Sequence, residues 1–354
     1  MMTSIPSVVF SSDLPSVIEF QAQDEVFTFS VEVDEVTIYR TSLFTNDDIA
    51  HFYDLDQMVT QYMLEHRKVK AMLYILAEYE GGEDRENGTV FFSAIRTDAT
   101  NATAFLKANY LTTRTFFRMP RNAEATQNVE FFAYASEKPH KGTITAVVEL
   151  EDGTVQTVTI SHDLKSSNVG KIYSFSIGVE DIQEQLEESF PDKDFKVLEA
   201  TVRHGQRALT LFFTDKQPIA VLTFANAFNI IETAYIYGSQ TVSTDVSTKS
   251  AMVQRKTSFY AREIDQRFKV ETCPLSMEEA LWFNQLLSSD YVCRDFAGKA
   301  QPVLIDDITS DIPANTGEPI RMKFSYRYTT PEFRHKSTAQ AAVSSSPFSS
   351  EFNL

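Results

Sequence analysis

Apolar and polar residues alternate along most of this chain, and the alternation predicts strands. In "VFTFSVEVD" the period of two places Phe27, Phe29, Val31 and Val33 on one face. "VTIYRTSLF" follows a short Asp34-Glu35 turn. The spacing then turns helical in "FYDLDQMVTQYMLEHR", where Leu55, Met58, Val59, Tyr62 and Met63 form one stripe and Asp54 or Asp56 can cap it. "VKAMLYILAEY" returns to strand period. The polar run "GGEDRENG", ending in Asn87-Gly88, predicts a turn leading into "TVFFSAIR". "RTFFRMP" and "NVEFFAYAS" add two strands.

Further along, "GTITAVVELEDGTVQTVTIS" reads as a hairpin around Asp152-Gly153, a pair suited to a type I′ turn. "KIYSFSIGV" aligns Tyr173, Phe175, Ile177 and Val179, a short helix follows in "EDIQEQLEESF", and "FKVLEATVRHGQRALTLFFTD" turns back near Gly205. "PIAVLTFANAFNIIETAYIYG" contains two strands. The long alternating stretch "DVSTKSAMVQRKTSFYAREIDQRFKVETC" is expected to reach past the body of its sheet. One strong helix interrupts this end of the chain. In "LSMEEALWFNQLLSSDYVC", Ser276 and Glu279 have capping-box spacing after the strand-stopping Pro274. Met277, Ala280, Leu281, Trp282, Leu286 and Leu287 cover more than a narrow stripe, so the helix is expected to be covered on two sides. One cover would be its own sheet and the other a second domain or a second subunit. "QPVLIDDIT" and "PIRMKFSYRYTT" close the pattern.

These elements predict a mainly β protein of two to three β-sandwich-like modules, each with an inserted short helix. The expected divisions are 1–139, 140–216 and 217–335, with a Ser/Ala-rich arm at 336–354 that lacks periodicity and carries Phe348 and Phe352.

Composition narrows the function classes. The chain has 354 residues, with 28 Phe against one Trp, a mix that suits pleated, half-buried surfaces. A net charge of −17 argues against phosphate-backbone binding as the main task, which needs clustered Lys and Arg. No window approaches 18 uncharged apolar residues, so no membrane insertion is expected. The first residues, "MMTSIPSVVFSSDLPS", lack a basic segment followed by an apolar run, so no secretory signal is expected. Cys273 and Cys293 read as two buried thiols of a protein folded in a reducing cytoplasm.

Candidate chemistry is sparse. The chain has no Gly-rich phosphate loop, dinucleotide fingerprint, H-E-x-x-H or G-x-S-x-G. The six histidines (His51, His66, His140, His162, His204, His335) are scattered, with no pair at metal-ligand spacing. In "NDDIAHFYDLD", Asn46, Asp47, Asp48, His51, Asp54 and Asp56 offer oxygens for Ca²⁺, but the loop lacks an EF-hand's glycine and terminal glutamate. The same acidic loop satisfies a helix N-terminus without metal. "DDITSD", with Asp306, Asp307 and Asp311, and the hairpin tip with Glu149, Glu151 and Asp152 are further acidic turns. No catalytic, cofactor or metal site is expected from these groups. Arg255, Lys256, Arg262, Arg267 and Lys269 form a basic ribbon in the acidic background. It suits contact with an acidic surface of a neighbouring copy, or protection of a strand edge. Together with Trp282, Phe348 and Phe352, these five are the interface candidates.

The order "VLTFANAFNIIETAYIYG", basic strand, "KVETCPLSMEEALWFNQLLSSDYV", "P-V" strand and "MKFSYRYTTPEF" resembles the C-terminal module of tail and baseplate proteins in phages and prophages of Bacteroidetes. "VTIYRTSLF…FYDLDQMVTQYM" is similar to the first sandwich of those proteins. The resemblance covers about two thirds of the chain, most closely from about 218 to 330. It departs at Phe228 in "NAFN", where that family has a glycine in the turn. It implies a non-enzymatic structural virion protein, assembled in the bacterial host cytoplasm and placed in the virion tail. That protein would be a ring-forming distal tail or hub subunit, linking the tail tube to the host-recognition apparatus and binding copies of itself and neighbouring tail proteins. The alternative is a carbohydrate-binding or adhesive β-sandwich protein, suggested by the many aromatic residues.

Overall fold

A computed structural model describes residues 2–21, 26–45, 49–80, 82–96, 101–134, 141–163, 170–191, 193–253, 256–296, 299–309 and 319–329. The protein is mainly β with several sheets, arranged as sandwich-like modules that carry short helices. The first module contains β1 (Val8–Phe10), β2 (Val17–Gln21), β3 (Val26–Val33), β4 (Val36–Phe44), β5 (Ile49–Tyr53), α1 (Leu55–Glu65), β6 (Lys70–Tyr79) and β7 (Gly82–Phe91). Its five-stranded sheet runs β1-β7-β6-β3-β4, and β2 and β5 form a second, two-stranded sheet. Phe29 of the large sheet meets Phe20 and Phe52 of the small one, with ring centroids 5.1 and 4.3 Å apart. Leu55, Val59 and Met63 of α1 are buried in the same core, as their helical spacing predicts. Asp34 and Asp54 both adopt positive φ. The first makes the β3–β4 turn with Glu35, and the second ends β5 immediately before α1.

The run expected as a turn at 81–88 is instead largely strand. β7 begins at Gly82 and pairs with β6 in continuous register from Tyr79↔Gly82 to Lys70↔Phe91. Its polar residues lie on exposed or half-buried positions, so they mark a solvated strand end and not a loop. Gly88 is required there by a close approach: a Cβ would lie 2.7 Å from the Pro6 carbonyl oxygen.

The next segment holds α2 (Ala102–Ala108), β8 (Phe116–Pro120), β9 (Thr126–Phe132), β10 (Lys141–Leu150), β11 (Val155–Asp163), β12 (Ile172–Gly178), α3 (Val179–Leu186), β13 (Phe195–His204) and β14 (Arg207–Thr214). One sheet runs β11-β10-β13-β14-β8 and β12 pairs with β9. Thus β8 and β9, placed by their position in sequence with the first sandwich, hydrogen-bond to strands of the second. Helix α2 lies between the two, in a stretch without a long apolar period. Its local signal is the Asn101 cap, whose side-chain oxygen accepts from the Ala104 amide at 2.8 Å.

The third segment comprises β15 (Ala220–Ala225), β16 (Ile231–Ile236), β17 (Gly238–Val253), β18 (Lys256–Thr272), α4 (Met277–Ser288), β19 (Val292–Phe296), β20 (Lys299–Thr309) and β21 (Lys323–Tyr328). Its seven strands run β16-β15-β19-β20-β21-β18-β17. The long alternating stretch folds back on itself as the β17–β18 hairpin. Residues of the second and third segments share one hydrophobic core, with Phe117, Val148 and Leu209 joining Phe224, Leu286 and Phe324.

A smaller cluster fastens the first module to the rest. Phe10 and Phe91 pack with Leu106 and Phe132 of the second segment and Phe228 of the third. Phe228 occupies the "NAFN" turn, and its ring lies 5.9 Å from Phe10 and 5.4 Å from Phe105. Asn226 Oδ1 accepts from the Phe228 and Ile230 amides. Asn229, at φ 60, donates through Nδ2 to the Met63 and Lys68 carbonyls at the end of α1. A large ring at 228 therefore serves a structural joint where a glycine would leave a void.

Candidate functional site

Three places concentrate unusual chemistry, and the first lies at the start of α4. Ser276 Oγ accepts from the Glu279 amide, and the Glu279 carboxylate accepts from the Ser276 amide at 2.9 Å, completing the expected capping box. Glu279 also faces Arg118 at 3.0 Å and Arg114 at 3.6 Å. Trp282, one turn on, is 3% exposed and packs edge-on against Phe117 of β8 and Phe224 of β15. The second cover predicted for this helix is therefore the neighbouring segment of the same chain. That burial removes Trp282 from the candidates for contact with a second copy. Met277 and Leu281 remain exposed on the outer stripe.

Behind Trp282 sits Glu232, buried on β16. It accepts from Trp282 Nε1 at 2.5 Å and from Asn226 Nδ2 at 2.7 Å. Burial pushes its carboxyl above the usual range, against the opposing effect of these bonds and of Arg114. Arg114 is itself buried, with its guanidinium over the rings of Trp282, Phe117 and Phe116 at 4.5, 4.8 and 4.9 Å. Burial lowers its pKa to about 10, while Glu279 and Glu232 resist that change. Arg114, Glu279 and Trp282, but not Glu232, border a cavity of about 640 Å³ between β8, β14 and β16, closed at one side by the start of α4.

The second place is the β17–β18 hairpin. Its ladder runs from Gly238↔Thr272 to Val253↔Lys256, but β18 meets β21 only from Phe268 to Glu271. Among the described residues, β17 has no second neighbour and β18 has none beyond Phe268. The hairpin thus extends from Ser243 and Arg267 outward for about 35 Å at ordinary strand rise. Val242 and Val246 are exposed along it. Of the basic ribbon, Lys256 and Arg262 occupy β18 positions paired with Val253 and Thr248. Arg267 reaches Asp307 at 3.3 Å and Asp306 at 3.8 Å within the chain, so part of its charge is already matched. Lys269 is exposed. Arg255, Phe348 and Phe352 lie outside the described residues. Asp306 and Asp307, expected in an acidic turn, lie instead within β20 at a register shift, where they partner Arg267, Arg327 and Ser325; Asp311 lies outside the described residues.

The third place was invisible to spacing. His204 and His162, distant in sequence, are adjacent across the second sheet, with Nε2 of the first 3.4 Å from Nδ1 of the second. Tyr110 Oη contacts His204 Nδ1 at 3.0 Å. Burial, then the neighbouring His162 and Arg207, push the His204 pKa down to about 4. Gly142 makes room for this ring, because a Cβ there would meet His204 Nε2 at 2.3 Å. Arg207, also buried, donates to the Leu106, Asn109 and Phe132 carbonyls and so caps the end of α2. Sequence spacing treats these residues as unrelated, and only sheet pairing assembles them.

At the acidic loop, residues 46–48 lie outside the described residues. His51 is exposed on β5, 3.9 Å from Glu19, and no group of three metal-ligating side chains occurs among the described residues. Asp152 stabilises its own hairpin tip by accepting from the Thr154 amide at 2.8 Å, and its pKa is lowered first by the Thr154 side chain and then by this amide. Cys273 and Cys293 are free thiols, the second buried. No helix among the described residues is long and apolar enough to cross a membrane.

No protein-family model matches the chain, and no curated protein does. Among solved structures, the full extracellular region of Plexin A4 is similar at 9% identity over 95% of this chain and 40% of that one, with a TM-score of 0.21. A likeness that distant supports no conclusion about fold or function, and the chain spans well under half of that protein's length.

Proposed function

We propose that this protein is a structural subunit that assembles with copies of itself and with neighbouring proteins, as a ring-forming tail or baseplate hub component of a phage-like particle. The observation that carries the reading is the β17–β18 arm, whose ladder with its sheet runs from Phe268 to Glu271 and which, among the described residues, is open along both edges beyond. A long ladder with unpaired N–H and C=O groups is a template for strand addition, and isolated two-stranded ribbons are at best marginally stable in water. Completion by another chain satisfies both conditions. The first module adds a second open edge: β4 borders its sheet and exposes Val36, Tyr39 and Phe44. The resemblance of the module order to tail and baseplate proteins supplies the kind of particle.

Light scattering coupled to size exclusion tests this reading. The intact chain is expected to self-associate as concentration rises, or to be recruited by a purified tail-tube or fibre partner. A variant that joins Val242 to Phe268 through an Asn-Gly turn is expected to stay folded and lose that association. An intact chain that remains strictly monomeric and binds no such partner refutes the proposal, as does a shortened variant that associates equally well.

A further inference from the structure

The cavity beside α4 has a feature that packing alone does not explain. The Arg114 side chain is 4% exposed, yet its Nε and Nη2 groups have no hydrogen-bond partner, although Glu279 lies 3.6 Å from Nη2. The Tyr237 hydroxyl, on the same lining, is likewise buried without a partner. Buried donors are nearly always hydrogen-bonded, so a guanidinium with one long ion pair and two unmet donors beside a cavity marks a place for an acceptor. The charged groups on the lining are Arg114, Arg118, Lys216 and Glu279, which leaves an excess of positive charge in a chain of −17. Phe116, Phe212, Tyr235 and Trp282 supply much of the remaining wall.

We propose that this cavity binds an organic anion: a carboxylate carried on an aromatic body. The planar fork of a guanidinium matches a carboxylate in geometry and charge, and low local dielectric strengthens that pairing. Ring edges and faces on the walls accept an aromatic body through offset or edge-on contacts. The volume of about 640 Å³ lies within the usual range for small-molecule sites, roughly 300–1,000 Å³. The walls come from two segments of the chain, β8 and β14 on one side and β16 and α4 on the other. Occupancy therefore stabilises their shared core by mass action. This site is separate from the β17–β18 arm, and its fate does not depend on self-association.

Calorimetric titration of the full chain with 1-naphthylacetate and its neutral counterpart 1-naphthylacetamide tests the proposal. One saturable site per chain is expected, with the carboxylate held about tenfold or more tighter than the amide, as a charge-assisted bond requires. Arg118 and Lys216 are exposed at the rim, so Arg118→Ala with Lys216→Ala should leave the fold intact. Because Arg114 remains in that protein, most of the preference for the carboxylate is expected to persist, and its loss there would overturn the assignment to Arg114. Thr233→Trp, which fills the lining from β16, is expected to abolish binding of both compounds with the thermal midpoint preserved. No saturable binding of either compound overturns the proposal. So does equal affinity for the two, or undiminished binding in a folded Thr233→Trp protein.

Discussion

The first module and the remainder of the chain solve the same packing problem differently. The first closes a core of its own, in which Phe29, Val31, Leu73 and Ile75 meet the β2–β5 sheet and α1. The second and third segments instead share one core, with Trp282 wedged between β8 and β15. Strand patterns of similar quality thus yield one self-contained unit and one fused pair. The difference teaches that the unit of cooperativity is the core, not the run of strands. It also places the polar cluster of Arg114, Glu232 and Glu279 inside a seam, where burial changes its chemistry.

Trp282→Ala should break the fused pair most severely. Truncating a buried Trp costs about 3–5 kcal/mol, and Glu232 loses a donor to its buried carboxylate besides. Circular dichroism and calorimetry should show an early transition for the fused pair, with the first module's melting little changed. Both transitions moving together by the same amount would contradict the comparison.

Phe228→Ala attacks the joint and leaves the two large cores intact. A loss of about 3 kcal/mol is expected for a buried Phe, with the single or overlapping melts separating into two. The lone Trp282 makes this measurable, because its fluorescence reports the fused pair alone.

Acid should act unequally on the two regions through His204. Its folded pKa of about 4 lies below the ordinary histidine value of 6.5, so between these pH values the unfolded chain binds a proton that the folded chain excludes. The stabilisation is complete above pH 6.5 and falls as pH drops toward 4, by at most about 3 kcal/mol. Denaturant titrations of the wild type and His204→Gln across that window should converge at low pH. Parallel curves would exclude His204 as the source.

Asn229→Ala offers the finest test. It removes two donors to the carbonyls at the end of α1 and places alanine at φ 60. A cost of about 1–3 kcal/mol is expected, read as earlier loss of coupling between the first module and the fused pair.

Much of the fold was legible in the sequence because alternation is a local signal. Phe27, Phe29, Val31 and Val33 announce a one-sided strand whatever lies opposite. Ser276 and Glu279 announce a helix start because both halves of the capping box lie within four residues. Polarity at 82–88 suggests a turn where the chain is strand, since a solvated strand end is as polar as a loop. β8 and β9 pair with strands of the second segment, because proximity in sequence says nothing about which sheet accepts an edge. Of the candidate site, Trp282 and Glu279 were visible through the helix pattern. Arg114 and Glu232 were not, since a single charge gives no periodic signal.

The sequence by itself determined the class of secondary structure, the capped helix and the presence of a long ribbon, all consequences of side-chain periods and short-range caps. Tertiary structure alone decided that the ribbon folds into a hairpin arm, that two segments share a core, and that Arg114 and His204 are buried. Those outcomes depend on which apolar faces meet across long loops and on the desolvation that follows, and neither quantity is written in any local stretch of residues.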